Sequence, residues 1–363
     1  MIKTKLAILL GGRSAEHEVS LRSAASIIKA ADKEKYELIL IGIDKKGRWF
    51  LITDQSPFLE GKYPESINYS EDSAVVFVPG EKGKVEGLKN KNISFNVDVV
   101  FPVIHGTFGE DGTVQGLLKL ADIPFVGPSV LGSAVGMDKD AMKRLLYNAG
   151  LTVAKSLVLE KATTPTPKFD QVKKELGDIV FMKPANLGSS VGVSKVRTEE
   201  EFGLAVKDAF RYDNKILVEE GITGREVECS VLGNEKPEPS AVGEVIPKDD
   251  FYSYNAKYID ENGAVLKIPA ELSQEQISKV QKSAVKAFKA LCCEGMGRVD
   301  CFLKENGDVV VNEINTIPGF TSISMYPKLW EESGIKYPDL IDKLIELAKE
   351  RYEKENVLKR DFN

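Results

Sequence analysis

The stretch that ends at Ile43 constrains the fold more than any other. "KLAILLGG" is a short apolar run closing on two glycines, "AEHEVSLRSAASIIKAA" has helical spacing with Glu16 and Glu18 in its first turn, and "YELILIGI" is a second apolar run. A strand, a helix and a strand in that order need a crossover, so the two strands are expected side by side and parallel in a buried sheet. The strand "VDVVFPVIHG" returns to the same pattern, followed by the loop "TFGEDG" and the helix "TVQGLLKLA". "IPFVG" closes this first unit near residue 127. The chain has 363 residues, too many for one ordinary core, so two or three domains are expected.

Beyond that point the pattern changes. Helix "KDAMKRLLYNAG" begins a second unit, with Asp138 as a plausible cap. Strand "DIVFMKP", the small-residue loop "ANLGSS" and strand "VGVSKV" read as an antiparallel pair, and helix "TEEEFGLAVKDAFRY" and strand "NKILVEE" follow. Gly221 and Gly224 mark a boundary. A third unit then holds "REVECSVLG", a long loop to about residue 270, helix "QEQISKVQKSAVKAFKALC", a hairpin and C-terminal helices. The expected division is 1–127, 128–222 and 223–363. Residues 44–95 mix turns with short strands such as "AVVFV".

A formal net charge of −6 argues against a general nucleic-acid or anionic-membrane binder, and 42% hydrophobic with 29% charged residues describes a soluble globular chain. Any phosphate site must therefore rest on a few placed lysines and backbone amides. Cys229, Cys292, Cys293 and Cys301 lack metal-site spacing and read as reduced, mostly buried thiols. "MIKTKLAILLGGR" begins like a signal peptide, but Gly11, Gly12 and Arg13 cut its apolar run short, and no stretch is long enough to span a bilayer. A cytoplasmic location is expected.

The hairpin "GRVDCFLKENGDVVVNEINTIPGF" concentrates charge on what are otherwise apolar strands. Asn306-Gly307 predicts a two-residue turn, which pairs Glu305 with Asp308, Phe302 with Val311, Asp300 with Glu313, and Arg298 with Asn315. The last three pairs share one face. Two facing carboxylates repel unless a cation lies between them, and their oxygens suit Mg²⁺ completed by nucleotide phosphates. The same pattern also fits an exposed face on which Arg298 neutralises the acids.

Four other segments carry chemistry. "KPANLGSSVG" sets Lys183 before a loop of Gly188, Ser189 and Ser190 whose amides and hydroxyls suit phosphate oxygens, although it lacks the Walker A order and also fits a plain glycine turn. Glu16, at a helix N-terminus, suits either an ammonium group or the helix dipole. His105 ends a strand of the parallel sheet, where such sheets place ligands, with Glu110 nearby; a hydrogen-bonded structural histidine is the alternative. "YNAKY" puts Lys257 and Tyr258 in a long loop that reads as a lid or as ordinary surface.

Together "LLGGRSAEHEVSLRS", "HGTFGEDGTVQGLL", "MDKDAMK", "KPANLGSSVGVSK", "FYSYNAKY", "GRVD" and "NEINTIPGFTSISMYP" resemble, in order and across most of the chain, the D-alanine:D-alanine ligase family of the ATP-grasp superfamily. The resemblance implies an α/β chain with a Rossmann-like N-terminal parallel sheet and two antiparallel-sheet subdomains clamping ATP. It implies ATP and Mg²⁺ as cofactors, with two ions and Mn²⁺ as a substitute, and two D-alanine molecules as substrates in peptidoglycan precursor synthesis. Lys139 and Lys183 would contact ATP phosphates and Lys257 the γ-phosphate. Glu219, Glu220 and Ile222 would border adenine, Glu226 would bind ribose, Phe302 would lie beneath the base, and Phe251 would join the nucleotide site. Asp300, Glu313 and Asn315 match the metal ligands. Glu16 would hold the first ammonium with Ser189 and Tyr258, and Arg298 with the Gly319 amide would stabilise an oxyanion. His105 and Glu110 would line the substrate site, and Ser324 with the Met325 amide would bind the second carboxylate. Glu220 stands where the family often has lysine, so adenine contact there is expected through backbone groups. The family pattern also implies a homodimer through the first domain, and no nucleic-acid or membrane partner.

Overall fold

The computed structural model describes residues 2–64, 67, 69–247 and 264–360. The N-terminal sheet has the order β3-β2-β1-β7, from β1 (Thr4–Gly11), β2 (Tyr36–Ile43), β3 (Trp49–Ile52) and β7 (Val99–Val103). Both β2 and β7 run parallel to β1, as the opening pattern requires, while β3 adds an antiparallel edge. Alternation along β1 feeds two cores. Leu6, Ile8 and Leu10 pack with Leu21 and Ile27 of the helix His17–Ala30, while Ala7 and Leu9 pack with Val114 and Leu118 on the other face. Each fully buried leucine or isoleucine of this set contributes about 1.5–3 kcal/mol.

The 44–95 region supplies a small antiparallel sheet of β4 (Val75–Phe77), β5 (Lys84–Gly87) and β6 (Ser94–Asn96). A second sheet is ordered β10-β9-β11-β8, from β8 (Ser156–Glu160), β9 (Val180–Pro184), β10 (Ser194–Val196) and β11 (Lys215–Glu220), with every pair antiparallel. The third sheet is ordered β14-β13-β12-β15-β16, from β12 (Arg225–Gly233), β13 (Glu238–Pro247), β14 (Ala264–Lys267), β15 (Gly295–Leu303) and β16 (Val309–Asn315). The long loop expected to residue 270 therefore contains two strands. Pro237, Pro239, Gly243 and Pro247 interrupt the alternation that would reveal β13 in the sequence.

Two helices tie the sheets together. Met142 and Leu146 of the helix Lys139–Asn148 are fully buried against Val227, Val299 and Val311 of the third sheet. Leu340, Ile341, Leu344 and Ile345 of the C-terminal helix Tyr337–Asn356 belong to the same core as Leu6 and Ile8 of β1. The two elements thus hold fixed the ends of the strands from which the site is built. Among the described residues no helix is long and apolar enough to cross a membrane. Cys229, Cys293 and Cys301 are buried and unbridged, while Cys292 is exposed.

Candidate active site

The hairpin β15–β16 pairs Asp300 with Glu313 and Arg298 with Asn315, as its spacing implies. It reaches that register by a different route. The loop has three residues, Glu305–Gly307, with Gly307 at φ +82° and the Lys304 amide donating to Asp308 O at 2.9 Å. This slips the pairing by one, so Phe302 faces Val310 and not Val311 as predicted. A bulge that leaves Asn312 without a cross-strand partner then restores the register at Asp300. Burial along β15 alternates, with Arg298, Asp300 and Phe302 half-buried between buried Val299, Cys301 and Leu303.

On this face Arg298 donates to both oxygens of Asp300, at 2.7 and 2.8 Å, and lies 2.8 Å from Glu228. The Asn315 amide donates to Asp300 at 3.0 Å, and Glu313 lies 3.5 Å from the Lys139 ammonium. The donor set is two carboxylates and an amide oxygen on neighbouring strands, which fits a hard cation such as Mg²⁺ that takes its other ligands from water and phosphate. Among the described residues no three His, Cys, Asp or Glu side chains gather as a self-sufficient metal site.

Next to the hairpin lies a cluster of lysines. Lys183, on β9, is 2.7 Å from one oxygen of Glu219 on the adjacent β11, and donates to the bulge residue Asn312 at 3.2 Å. Lys143 is 3.1 Å from the other Glu219 oxygen and donates to Ala154 O at 3.0 Å. Lys139 donates to Leu187 O at 2.6 Å, in the glycine loop. Burial would push the Glu219 carboxyl up, but the two ammonium groups hold it below its ordinary value. Burial likewise pulls at Lys183, yet Glu219 carries it above the usual lysine range, whereas Lys143 ends below it. Glu220 turns its carboxylate to the Lys155 amide at 2.8 Å, Ile222 and Glu226 are half-buried, and Glu226 pairs with Phe302 across the sheet.

The other end of the site grows from the parallel sheet. Glu16 follows β1, and Ser189 of the glycine loop donates its hydroxyl to the Glu16 carboxylate. Both Ser189 and Ser190 take left-handed backbone angles, φ +54° and +58°, a conformation that L side chains adopt at a cost. Gly106 beside them has φ +74°, which favours glycine, and a Cβ there would also lie 2.5 Å from a Glu16 oxygen. His105 donates from Nδ1 to Ile317 O at 2.9 Å, which leaves Nε2 to accept from Ser23 at 3.2 Å. Burial pushes its imidazole below the ordinary value and keeps it neutral. Glu110 accepts the Gly106 and Ile317 amides at 2.7 and 2.9 Å. Burial, then the nearby charge of Glu16, push its carboxyl up to about 8. Ser324 precedes the helix Met325–Glu332, within 2.9 Å of where a Cβ on Gly319 would sit.

These residues meet. Glu16, His105, Glu110, Ser189, Arg298, Asn315, Gly319, Ser324 and Met325 line one cleft of about 870 Å³, with Glu228 beside Arg298. Phe251, Lys257 and Tyr258 lie outside the described residues.

Residues 5–128 match the family model described as D-ala D-ala ligase N-terminus, and residues 145–346 match that described as D-ala D-ala ligase C-terminus. The chain belongs to the D-alanine:D-alanine ligase family. It is 54% identical over 361 residues to the D-alanine–D-alanine ligase of Oceanobacillus iheyensis, covering 99% of this chain and 98% of that one. Among solved structures, the D-alanine-D-alanine ligase from Coxiella burnetii matches with a TM-score of 0.85 and 41% identity, over 98% of this chain and 96% of that chain. The VanG D-Ala:D-Ser ligase from Enterococcus faecalis matches with 0.83 and 36%, over 96% and 100%. The mixed α/β architecture is thus that of the ATP-grasp enzymes.

Glu228 and Lys143 also belong to this site, although neither stands out in the sequence. Glu228 faces Asp300 in the β12–β15 ladder, and its signal is the alternation of acids in "REVECS". Lys143 stands one helical turn beyond Lys139, so the two share a face.

Proposed function

We propose that the cleft joins two D-alanines into D-alanyl-D-alanine by consuming ATP, through a D-alanyl phosphate, for peptidoglycan precursor synthesis. The observation that carries this reading is the Ser189–Glu16 contact. It brings the glycine loop over the end of the parallel sheet, in the cleft that Arg298 also lines.

In the first step a D-alanine carboxylate oxygen attacks the γ-phosphorus, the bond to the β–γ bridging oxygen breaks, and ADP leaves. Glu16, oriented by Ser189 and the expected Tyr258, holds the ammonium of that D-alanine. Lys139 and Lys183 take the phosphates and Lys257 the γ-phosphate, while Glu219, Glu220, Ile222, Glu226, Phe251 and Phe302 seat the nucleoside. Asp300, Glu313 and Asn315 would hold two Mg²⁺ ions, or Mn²⁺ in their place. Bound metal would supply charge neutralisation on phosphoryl oxygens.

In the second step the amine of the other D-alanine attacks the acyl carbon, loses a proton, and phosphate departs. Arg298 and the Gly319 amide face the oxyanion, where such a preorganised donor is worth about 3–4 kcal/mol. The Ser324 hydroxyl and the Met325 amide, at a helix N-terminus, suit the second carboxylate. Neutral His105 and the largely protonated Glu110 line the site without adding full charges to it. The homodimer through the first unit, the cytoplasmic location and the division at 1–127, 128–222 and 223–363 belong to the same proposal.

A coupled assay of ADP release with a panel of D- and L-amino acids tests it. ADP release with D-alanine alone, yielding D-alanyl-D-alanine, is the expected result. Turnover only with D-lactate or D-serine as the second substrate overturns the choice of acceptor, and release with L-alanine overturns the stereochemistry.

A further inference from the structure

Glu219 is shared. One of its oxygens is 2.7 Å from Lys183 and the other 3.1 Å from Lys143, and all three side chains are largely buried. A buried Lys–Glu pair alone is neutral, with its attraction spent internally. A second lysine on the same carboxylate makes the trio net positive. Other acids bear on it as well: Glu313 and Glu226 act on Lys183, and Glu220 acts on Lys143. Glu313, however, also has Lys139 at 3.5 Å, and Glu220 is bound to the Lys155 amide. Lys143 is fixed in place by its bond to Ala154 O and by the fully buried Met142 and Leu146 on its own helix.

We propose that Lys143 is a positioning residue for nucleotide binding: by occupying one oxygen of Glu219, it leaves the charge of Lys183 directed at the nucleotide phosphates. Lys143 acts through Glu219 and Lys183 and touches no substrate. The inference rests on the assignment of Lys183 to phosphate made above. It predicts an effect that scales with phosphate and not with the nucleoside.

Calorimetric titration of ADP and of adenosine, both in magnesium chloride without D-alanine, reads this as a ratio of affinities. Lys143→Met should lower the preference for ADP over adenosine about tenfold, equivalent to ~1.4 kcal/mol. Lys143→Arg should keep the wild-type preference. Lys143→Met loses a buried ion-pair partner and risks failing to fold, so Lys143→Met/Glu219→Gln is the second arm. It removes the carboxylate charge too, and the preference should return to within about threefold of wild type, since any adenine contact of Glu219 cancels in the ratio. Equal loss of ADP and adenosine in Lys143→Met, or a double variant no better than the single one, overturns the proposal. Lys183→Met separates the two ideas. If it leaves the preference unchanged, the phosphate assignment of Lys183 falls; if it abolishes the preference while Lys143→Met does not alter it, only the role of Lys143 falls.

Discussion

Glu219 and Glu110 are both buried carboxyls, and their surroundings push them in opposite directions. Burial raises both. At Glu219 two ammonium groups more than offset it, whereas Glu110 has two backbone amides on its oxygens and the like charge of Glu16 beside it. Full opposite charges reverse a desolvation shift, and amide dipoles here do not. The contrast matches what each end is proposed to hold. A nucleotide brings several negative charges and calls for an excess of lysines. A zwitterionic amino acid is neutral overall and is served by hydroxyls, amides and single charges.

Arg298 is the cation that reaches from the hairpin into the amino-acid end, so its removal tests the division most severely. Arg298→Ala should cut turnover by about 10²–10³ while nucleotide binding persists. Single-turnover kinetics beside ADP titration measures both, and a loss of ADP affinity equal to the loss of rate would place Arg298 at the nucleotide end instead. Glu219→Gln comes next. It leaves Lys143 and Lys183 without their shared counter-ion, and urea unfolding should show a loss of about 3 kcal/mol or more. A smaller change than that would mean the lysines find other partners. Glu313→Ala should then weaken ATP binding about tenfold in magnesium, ~1.4 kcal/mol, and little in its absence. An unaltered magnesium requirement would count against Glu313 as a ligand.

The legibility of these two ends differs for physical reasons. The parallel sheet was readable because residues 6–11 of β1 and most of residues 38–43 of β2 are buried on both faces and appear as apolar runs. Arg298, Asp300, Glu313 and Asn315 were readable because side chains alternate along a strand, although the turn was one residue longer than expected. The bulge at Asn312 cancelled that error where the acids lie and left it visible at Phe302. Strand β13 was hidden by its prolines and glycine. Lys143 was hidden for another reason: a lysine on an amphipathic helix reads as solvated surface, and only the fold shows Glu219 and Ala154 closing over it. Likewise Ser23 and Ile317, which set the tautomer of His105, come from elements far apart in the chain.

The remaining effect concerns Glu110 and is read through pH. Its carboxyl ordinarily titrates at 4.5 and is raised to about 8 in the folded chain, with Glu16 and Arg298 the charged groups that bear on it. Between those values the folded state holds a proton that the unfolded state has lost, so stability falls as pH rises through the window. Glu110→Gln has no such proton, and it sets an NH₂ against one of the two amide donors, costing about 1–3 kcal/mol at every pH. The wild type should therefore melt above the variant by the widest margin near about pH 5, and the gap should close and then reverse toward pH 9 as the native carboxyl ionises. Melting curves of both proteins across that range give the difference directly. A gap that widens with pH would mean that the Gly106 and Ile317 amides outweigh burial and keep Glu110 ionised, and the contrast with Glu219 would then be one of degree and not of sign.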